Sequence, residues 1–158
     1  MANKFDNLKL NNFGLSTEDA ELCMYVDQTN RGFSQLSTDD CPEAEKVVIK
    51  KLNDYFDTVL HGKSPYMIKI DVEGHELLAL QGGEKIFQND PPKLIFSEVT
   101  PKWFLKHDQT AMQYMEFFWS YDYTIYIADG LTKFERGSDI PAYAFDTVMV
   151  HSSIDLVV

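Results

Sequence analysis

The chain has 158 residues, 44% hydrophobic and 13% aromatic, which suits one ordinary domain with an apolar core and excludes intrinsic disorder. Its 25 acidic against 14 basic side chains give a net charge of -11 and leave no basic patch for nucleic acid. No apolar run approaches the ~18 residues that cross a bilayer, and the opening MANKFDNLKL lacks the apolar stretch of a secretory signal.

Leu8, Leu10, Phe13 and Leu15 make a short, mostly apolar stretch, closed by a turn at Gly14 and residues 16–19. Residues 21–26 read as a strand, with Leu22, Met24 and Val26 alternating against Cys23 and Tyr25. Residues 27–46 are polar and read as a long loop. Residues 47–52 are rich in β-branched residues and predict a second strand, which could pair with 22–26 as an antiparallel ribbon. A short helix is expected over 53–60.

The character changes at Pro65. Residues 66–70, YMIKI, are nearly continuous apolar, as in a buried parallel strand ending at Asp71. A helix follows over about 75–87, with Leu77, Leu80, Ile86 and Phe87 near one face. Gly82 and Gly83 inside it point to close packing or a break. Asn89-Asp90-Pro91-Pro92 stops it. Residues 94–99 form the next buried strand, ended at Thr100-Pro101. Asp108 is the expected cap of a helix whose apolar face carries Ala111, Met112, Met115, Phe118 and Trp119. Strands are expected over 123–128 and 144–151, with a turn at Asp129-Gly130. The alternation predicts half of an α/β three-layer sandwich. The aromatic run of Tyr114, Phe117, Phe118, Trp119, Tyr121 and Tyr123 reads as core and rim, not as a base-stacking platform. Cys23 and Cys41, 18 positions apart, read as two ordinary thiols, with one disulfide as the alternative. The cytosol is the default compartment.

Chemistry concentrates in Asp71-Val72-Glu73-Gly74-His75-Glu76, at the carboxyl end of a buried strand, where open α/β sheets bind ligands. Gly74 permits a sharp turn there. Asp71 and Glu73 could orient a hydroxyl, take its proton, or hold a cation. Equally, Glu73, His75 and Glu76 could cap the helix N-terminus. Glu98, in the apolar run LIFSEV, is the second candidate and is expected in the cleft, with a solvated place at the start of the loop as the alternative; Lys69 could pair with it or snorkel to the sheet margin. His61, His107 and His151 are scattered and read as ordinary. No HExxH spacing, serine elbow, P-loop or GxGxxG occurs, and no metal site is expected.

The stretch Ile68-Lys69-Ile70-Asp71-Val72-Glu73-Gly74-His75-Glu76 resembles the diagnostic K-I-D-V-E-G-x-E segment of the FkbM family of S-adenosylmethionine-dependent methyltransferases. Leu77, Leu78, Leu80 and Gly82 continue it, and Leu94 to Val99 matches the family's next strand. Phe13-Gly14-Leu15-Ser16 resembles the family's third strand, and Gly32 to Leu36 its following loop. The likeness spans about residues 8–128. The family usually has Leu-Asp before the short helix, where this chain reads Leu52-Asn53-Asp54.

The resemblance implies a class I, Rossmann-like sheet in the order 3-2-1-4-5-7-6. The family's opening strand and glycine-rich turn, like V-D-V-G-A-N-x-G, have no counterpart in these residues. Nor does the acid after the second strand that holds the cofactor's ribose. The chain is therefore expected to be a partial class I domain over 1–158, lacking the first two β/α units and carrying an inserted antiparallel β ribbon. The 66–70 strand would then form an open edge. The implied reaction is S-adenosylmethionine-dependent O-methylation of a small-molecule hydroxyl, on a sugar or natural product. Asp71, Glu73 and Glu98 would be the catalytic residues, and the cofactor-binding residues are unassigned. A missing amino-terminal half or partner chain would complete the site. The alternatives are a non-catalytic interaction module and, on the 71–76 cluster alone, a metal-dependent hydrolase.

Overall fold

A computed structural model describes residues 7–26, 28–29, 35–37 and 45–154. They form two mixed sheets and five short helices. The first sheet contains β1 (Gly14–Ser16), β2 (Ala20–Tyr25), β3 (Gln35–Ser37) and β4 (Glu45–Lys51), in the order β1-β4-β2-β3. The expected ribbon is present: β2 runs antiparallel to β4, with Ala20 opposite Ile49 and Met24 opposite Glu45. The expected long loop over 27–46 is interrupted by β3, which pairs with β2 through Leu36 and Met24. Three residues are too few for an alternation pattern to betray a strand.

Cys23 in β2 is disulfide-bonded, which corrects the expectation of two ordinary thiols. Cys41, the other cysteine, lies outside the described residues, as does part of the Gly32–Leu36 likeness.

Helix α1 (Leu52–Thr58) leads to the second sheet. There β5 (Met67–Ile70), β6 (Leu94–Val99), β7 (Tyr123–Ile127), β8 (Thr132–Phe134) and β9 (Phe145–His151) lie in the order β5-β6-β9-β7-β8. β5 and β6 are parallel, and β9 is antiparallel to both β6 and β7. Apart from the extra hairpin strand β8, this is the expected 4-5-7-6 order. Helices α2 (Glu76–Gln81) and α3 (Glu84–Asn89) connect β5 to β6. Helices α4 (Pro101–Phe104) and α5 (Ala111–Ser120) connect β6 to β7.

The expected single helix over 75–87 is thus two helices broken at Gly82-Gly83. The break reflects close packing: a Cβ on Gly82 would collide with the Ser16 carbonyl oxygen of β1. Helix α4 was not foreseen; Pro101 does not end structure here but starts a helix, where its missing N–H costs nothing. Asp108 does not cap α5. It ends the preceding 3₁₀ turn at φ 54°, and Thr110 takes the cap. Thr110 Oγ1 accepts from the Gln113 N–H at 3.1 Å, and Gln113 Oε1 accepts from the Thr110 N–H at 2.7 Å. This capping box satisfies two otherwise orphaned groups at once.

The helices cover one face of the second sheet. Phe56, Leu77, Leu80, Ile86, Phe87, Phe104, Met115 and Phe118 join Ile70, Ile95, Val99, Ile125 and Met149 in one core. Phe87 meets Phe117, Phe118, Tyr121 and Tyr123 edge-on or tilted, so most of the aromatic run is core as expected. Buried polar groups fix α5 to the sheet: Tyr114 donates its hydroxyl to Ser97 Oγ, and Thr147 Oγ1 donates to the Ser97 carbonyl, both at 2.9 Å.

On the opposite face Phe96 is 37% exposed, and Met67 at the open edge is 54% exposed. Val148 and Val150 of β9 are buried on that face, but among the described residues the helices of the core all lie on the other. The reason is handedness. β5-to-β6 and β6-to-β7 both progress in the same direction across the sheet, and right-handed crossovers in one direction place their helices on one face.

Gly82→Ala tests the close approach of α2 to β1. Alanine favours an isolated helix by roughly 1 kcal/mol over glycine. Here it should instead destabilise the fold by about 2 kcal/mol, because the new methyl meets backbone and not a flexible side chain; urea denaturation reads the sign. Cys23 should resist maleimide labelling in denaturant until a reductant is added, with mass spectrometry as the readout; labelling without reductant would contradict the disulfide.

Candidate active site

β5 ends at Ile70, and the next six residues carry the charged cluster. Glu73 and Gly74 both take left-handed backbone angles, φ 53° and 99°, to turn the chain into α2. Gly74 is needed there twice over: its φ is costly for other residues, and a Cβ would lie 2.6 Å from the Trp103 backbone. The turn therefore packs against α4.

Asp71 lies at the strand end and accepts an ion pair from Lys69 at 2.9 Å. Both side chains are substantially exposed, so the pair positions the carboxylate and adds little stability. The hydrogen bond and charge of Asp71 raise the Lys69 pKa. Of the two places open to Lys69, pairing with Glu98 is not taken: it pairs with Asp71 and feels the Glu98 charge only at longer range.

Glu73 is half-buried. Its pKa is raised first by burial and then by repulsion from Asp71, Glu98 and Glu76, with Lys102 opposing. Asp71, Glu73 and Glu98 thus share one electrostatic neighbourhood. Glu98 itself is exposed on the sheet face away from the helices, paired across the ladder with Asp146, which corrects its expected place inside the cleft. Strand alternation decides this: Ser97 and Val99 point to the core, so Glu98 points out.

Glu76 is 2% exposed, and its Oε1 accepts from the Val72 N–H at 3.1 Å, while Oε2 has no hydrogen-bond partner. Burial raises its pKa, opposed by the backbone N–H groups of Glu76, Val72 and Gly74. So the helix-terminus reading holds for Glu76, which ties the loop to the helix. His75 is the N-cap residue without a side-chain cap bond.

His75 is the feature that sequence spacing hid. It is 4% exposed, neither ring nitrogen has a hydrogen-bond partner, and its ring stands edge-on to His107 with centroids 4.9 Å apart. Burial, then His107, push its pKa down to about 4. The His107 pKa is also lowered, mainly by burial and then by Lys106, with Asp108 opposing. The two histidines are far apart in the chain, and no local pattern announces their meeting.

A cavity of about 580 Å³ opens beside the cluster, between β1 and α1 on one side and β5 and α2 on the other. Leu15, Leu52, Tyr55 and Ile68 make it largely apolar, and Lys69, Asp71 and His75 supply its polar groups. Its size is that of a small-molecule site. A smaller cavity of about 170 Å³ meets the other side of His75, with Glu18 and His107 on its wall. Among the described residues no three His, Cys, Asp or Glu side chains are grouped to hold a metal ion, and no helix is long and apolar enough to cross a membrane.

Acids at the carboxyl ends of a parallel pair, in a sheet with one antiparallel strand inserted, define a mixed α/β protein whose ligand edge lies at those strand ends. The methyltransferase FkbM domain matches residues 2–125, and the chain belongs to that family. No curated protein and no solved structure matches the chain.

The orphaned His75 ring gives a pH signature. Folded His75 loses its proton near pH 4 and an unfolded imidazole near 6.5, so the unfolded state binds the extra proton between them. Stability should therefore fall as pH drops from 6.5 towards 4, by up to about 3 kcal/mol from this group. Glu76 acts in the opposite sense: its raised pKa makes its contribution fall as pH rises above the unfolded value. In urea titrations across this range, His75→Phe should lose less stability on acidification than the parent, and an equal loss would contradict the assignment.

Proposed function

We propose that this chain carries the acceptor side of an S-adenosylmethionine-dependent O-methyltransferase acting on a small-molecule hydroxyl, of a sugar or natural product. The supporting observation is the placement of Asp71 and Glu73 at the carboxyl end of β5, beside the cavity, in a chain of this family. Asp71 is on the cavity wall, held by Lys69, and would hydrogen-bond the acceptor hydroxyl. Glu73, whose raised pKa brings it closer to neutral pH, would take the proton. Glu98 would act from the outer face, adding negative charge that keeps Glu73 basic.

The family implies S-adenosylmethionine, which supplies an electrophilic methyl group when bound. The described residues do not fit that cofactor by themselves. Gly74, the glycine at the end of β5, is filled against Trp103 and offers no open cradle, and no glycine-rich turn follows any strand of the sequence. The cofactor-holding elements would come from polypeptide outside these 158 residues. A domain over 1–158 that carries only the later β/α units is consistent with the open edge at β5. That same unpaired edge favours the second reading, a non-catalytic interaction module on a methyltransferase fold. The Cys23 disulfide fits an oxidising compartment better than the cytosol first expected.

Joined to a glycine-rich amino-terminal half, the protein should bind S-adenosylmethionine. Asp71→Ala should then lower turnover by about 100-fold while calorimetric affinity for the cofactor stays within about twofold. Undiminished turnover in that variant would remove Asp71 from the mechanism, and an absence of methyl transfer from any completed form would favour the interaction module.

A further inference from the structure

We propose that the methyl acceptor is an anionic sugar, whose carboxylate or phosphate is held between Lys102 and Lys106 beside Trp103. This rests on the methyltransferase reading of the site and names its substrate class.

β5 and β6 run parallel, with Ile70 opposite Ser97, so the turn after β5 and helix α4 after β6 leave the sheet at the same end. β6 lies inside the sheet, between β5 and β9, so this placement does not involve the outer edge of β5. Contact joins the two segments: Gly74 packs on the Trp103 backbone with no room for a side chain between them. The turn carries Asp71 and Glu73, and α4 with the 3₁₀ turn behind it carries Lys102, Trp103 and Lys106.

Both lysines turn to one ring. Lys102 Nζ lies 4.6 Å and Lys106 Nζ 4.2 Å from the Trp103 ring centroid. The ring attracts each ammonium group and so brings two like charges together. Both lysines are exposed, so a ligand reaches them from solvent. An anion placed between them relieves their repulsion and accepts a hydrogen bond from each.

The charge of the surrounding edge gives that pair its meaning. The chain has 25 acidic and 14 basic residues, and Asp71, Glu73 and Glu98 share one electrostatic neighbourhood. An anionic acceptor is repelled there unless cations meet its charged group. Lys102 is near enough to Glu73 to oppose the burial and like charges that raise the proton affinity of that acid. One acceptor can therefore place its hydroxyl on the acids and its anion on the lysines. A neutral sugar would engage the acids alone.

Nuclear magnetic resonance on the 158-residue chain tests this. Trp103 and Trp119 are its two tryptophans, so Trp103→Phe assigns the indole N–H signals. Trp119 stacks on Phe134 and serves as the reference. The probes are glucuronate, glucose phosphorylated on its primary hydroxyl, glucose and inorganic phosphate, all at equal ionic strength. One of the two charged sugars should shift the Trp103 signal with an affinity about tenfold above that of glucose, and the tighter of them identifies the anion. Lys102→Gln combined with Lys106→Gln should erase that preference. Lys102→Arg with Lys106→Arg should keep it, and an unchanged Trp119 signal reports an intact fold in both. The proposal is overturned by equal binding of charged and neutral sugars, by a Trp103 signal that no sugar moves, or by a preference that survives the glutamines. It is equally overturned if inorganic phosphate binds as tightly as the charged sugars. Methyl transfer is read separately in the completed enzyme. Transfer to neutral sugars alone sinks this proposal and leaves the methyltransferase reading; no transfer, with the binding preference intact, sinks that reading and leaves the anion site.

Discussion

Coverage of a single face of the five-stranded sheet governs the rest of the molecule. Two right-handed crossovers move across the sheet in the same sense, so α2 to α5 all gather over Ile95, Ser97 and Val99. The inward side chains of β6 become the centre of the core. Ser97 is the polar pin of that centre, taking the Tyr114 hydroxyl on its side chain and the Thr147 hydroxyl on its carbonyl. These bonds are buried, so each group would be costly unpaired. They hold α5 and β9 in one register against β6. Every outward residue of β6 and β5, including Glu98 and Lys69, is thereby committed to the uncovered face.

That commitment shapes the electrostatics of the strand ends. Lys69 and Asp71 pair on exposed positions, so the carboxylate is oriented without being withdrawn from water. Glu73 is pushed into a half-buried, left-handed turn by the packing of Gly74 on α4, and its proton affinity rises through burial and then through the like charges around it. Glu76 goes further in and serves the loop. Three acids near one strand end therefore have different environments, which lets one orient and another accept a proton.

Much of this was legible in the residues. The apolar runs over 67–70 and 94–99 marked two strands, and the KIDVEG stretch marked both the family and the strand end. The strand order of the second sheet followed from the family likeness. Other features were not legible. β3 and β8 are three residues each and carry no periodic signal. Helix α4 was hidden because proline reads as a stop unless its position at the first helical turn is known. The disulfide at Cys23 depends on which loop returns to β2, a matter that spacing leaves open.

The amino-acid sequence by itself determined the class of fold, the family and the place of the charged cluster, because hydrophobic periodicity and local turn chemistry act over a few residues. Only the tertiary structure decided which way Glu98 points, that His75 meets His107 in the interior, and that β1 and β5 flank one apolar cavity. Those are consequences of register and crossover handedness. They bring together residues that no local pattern connects, and a one-residue shift in pairing would reverse them.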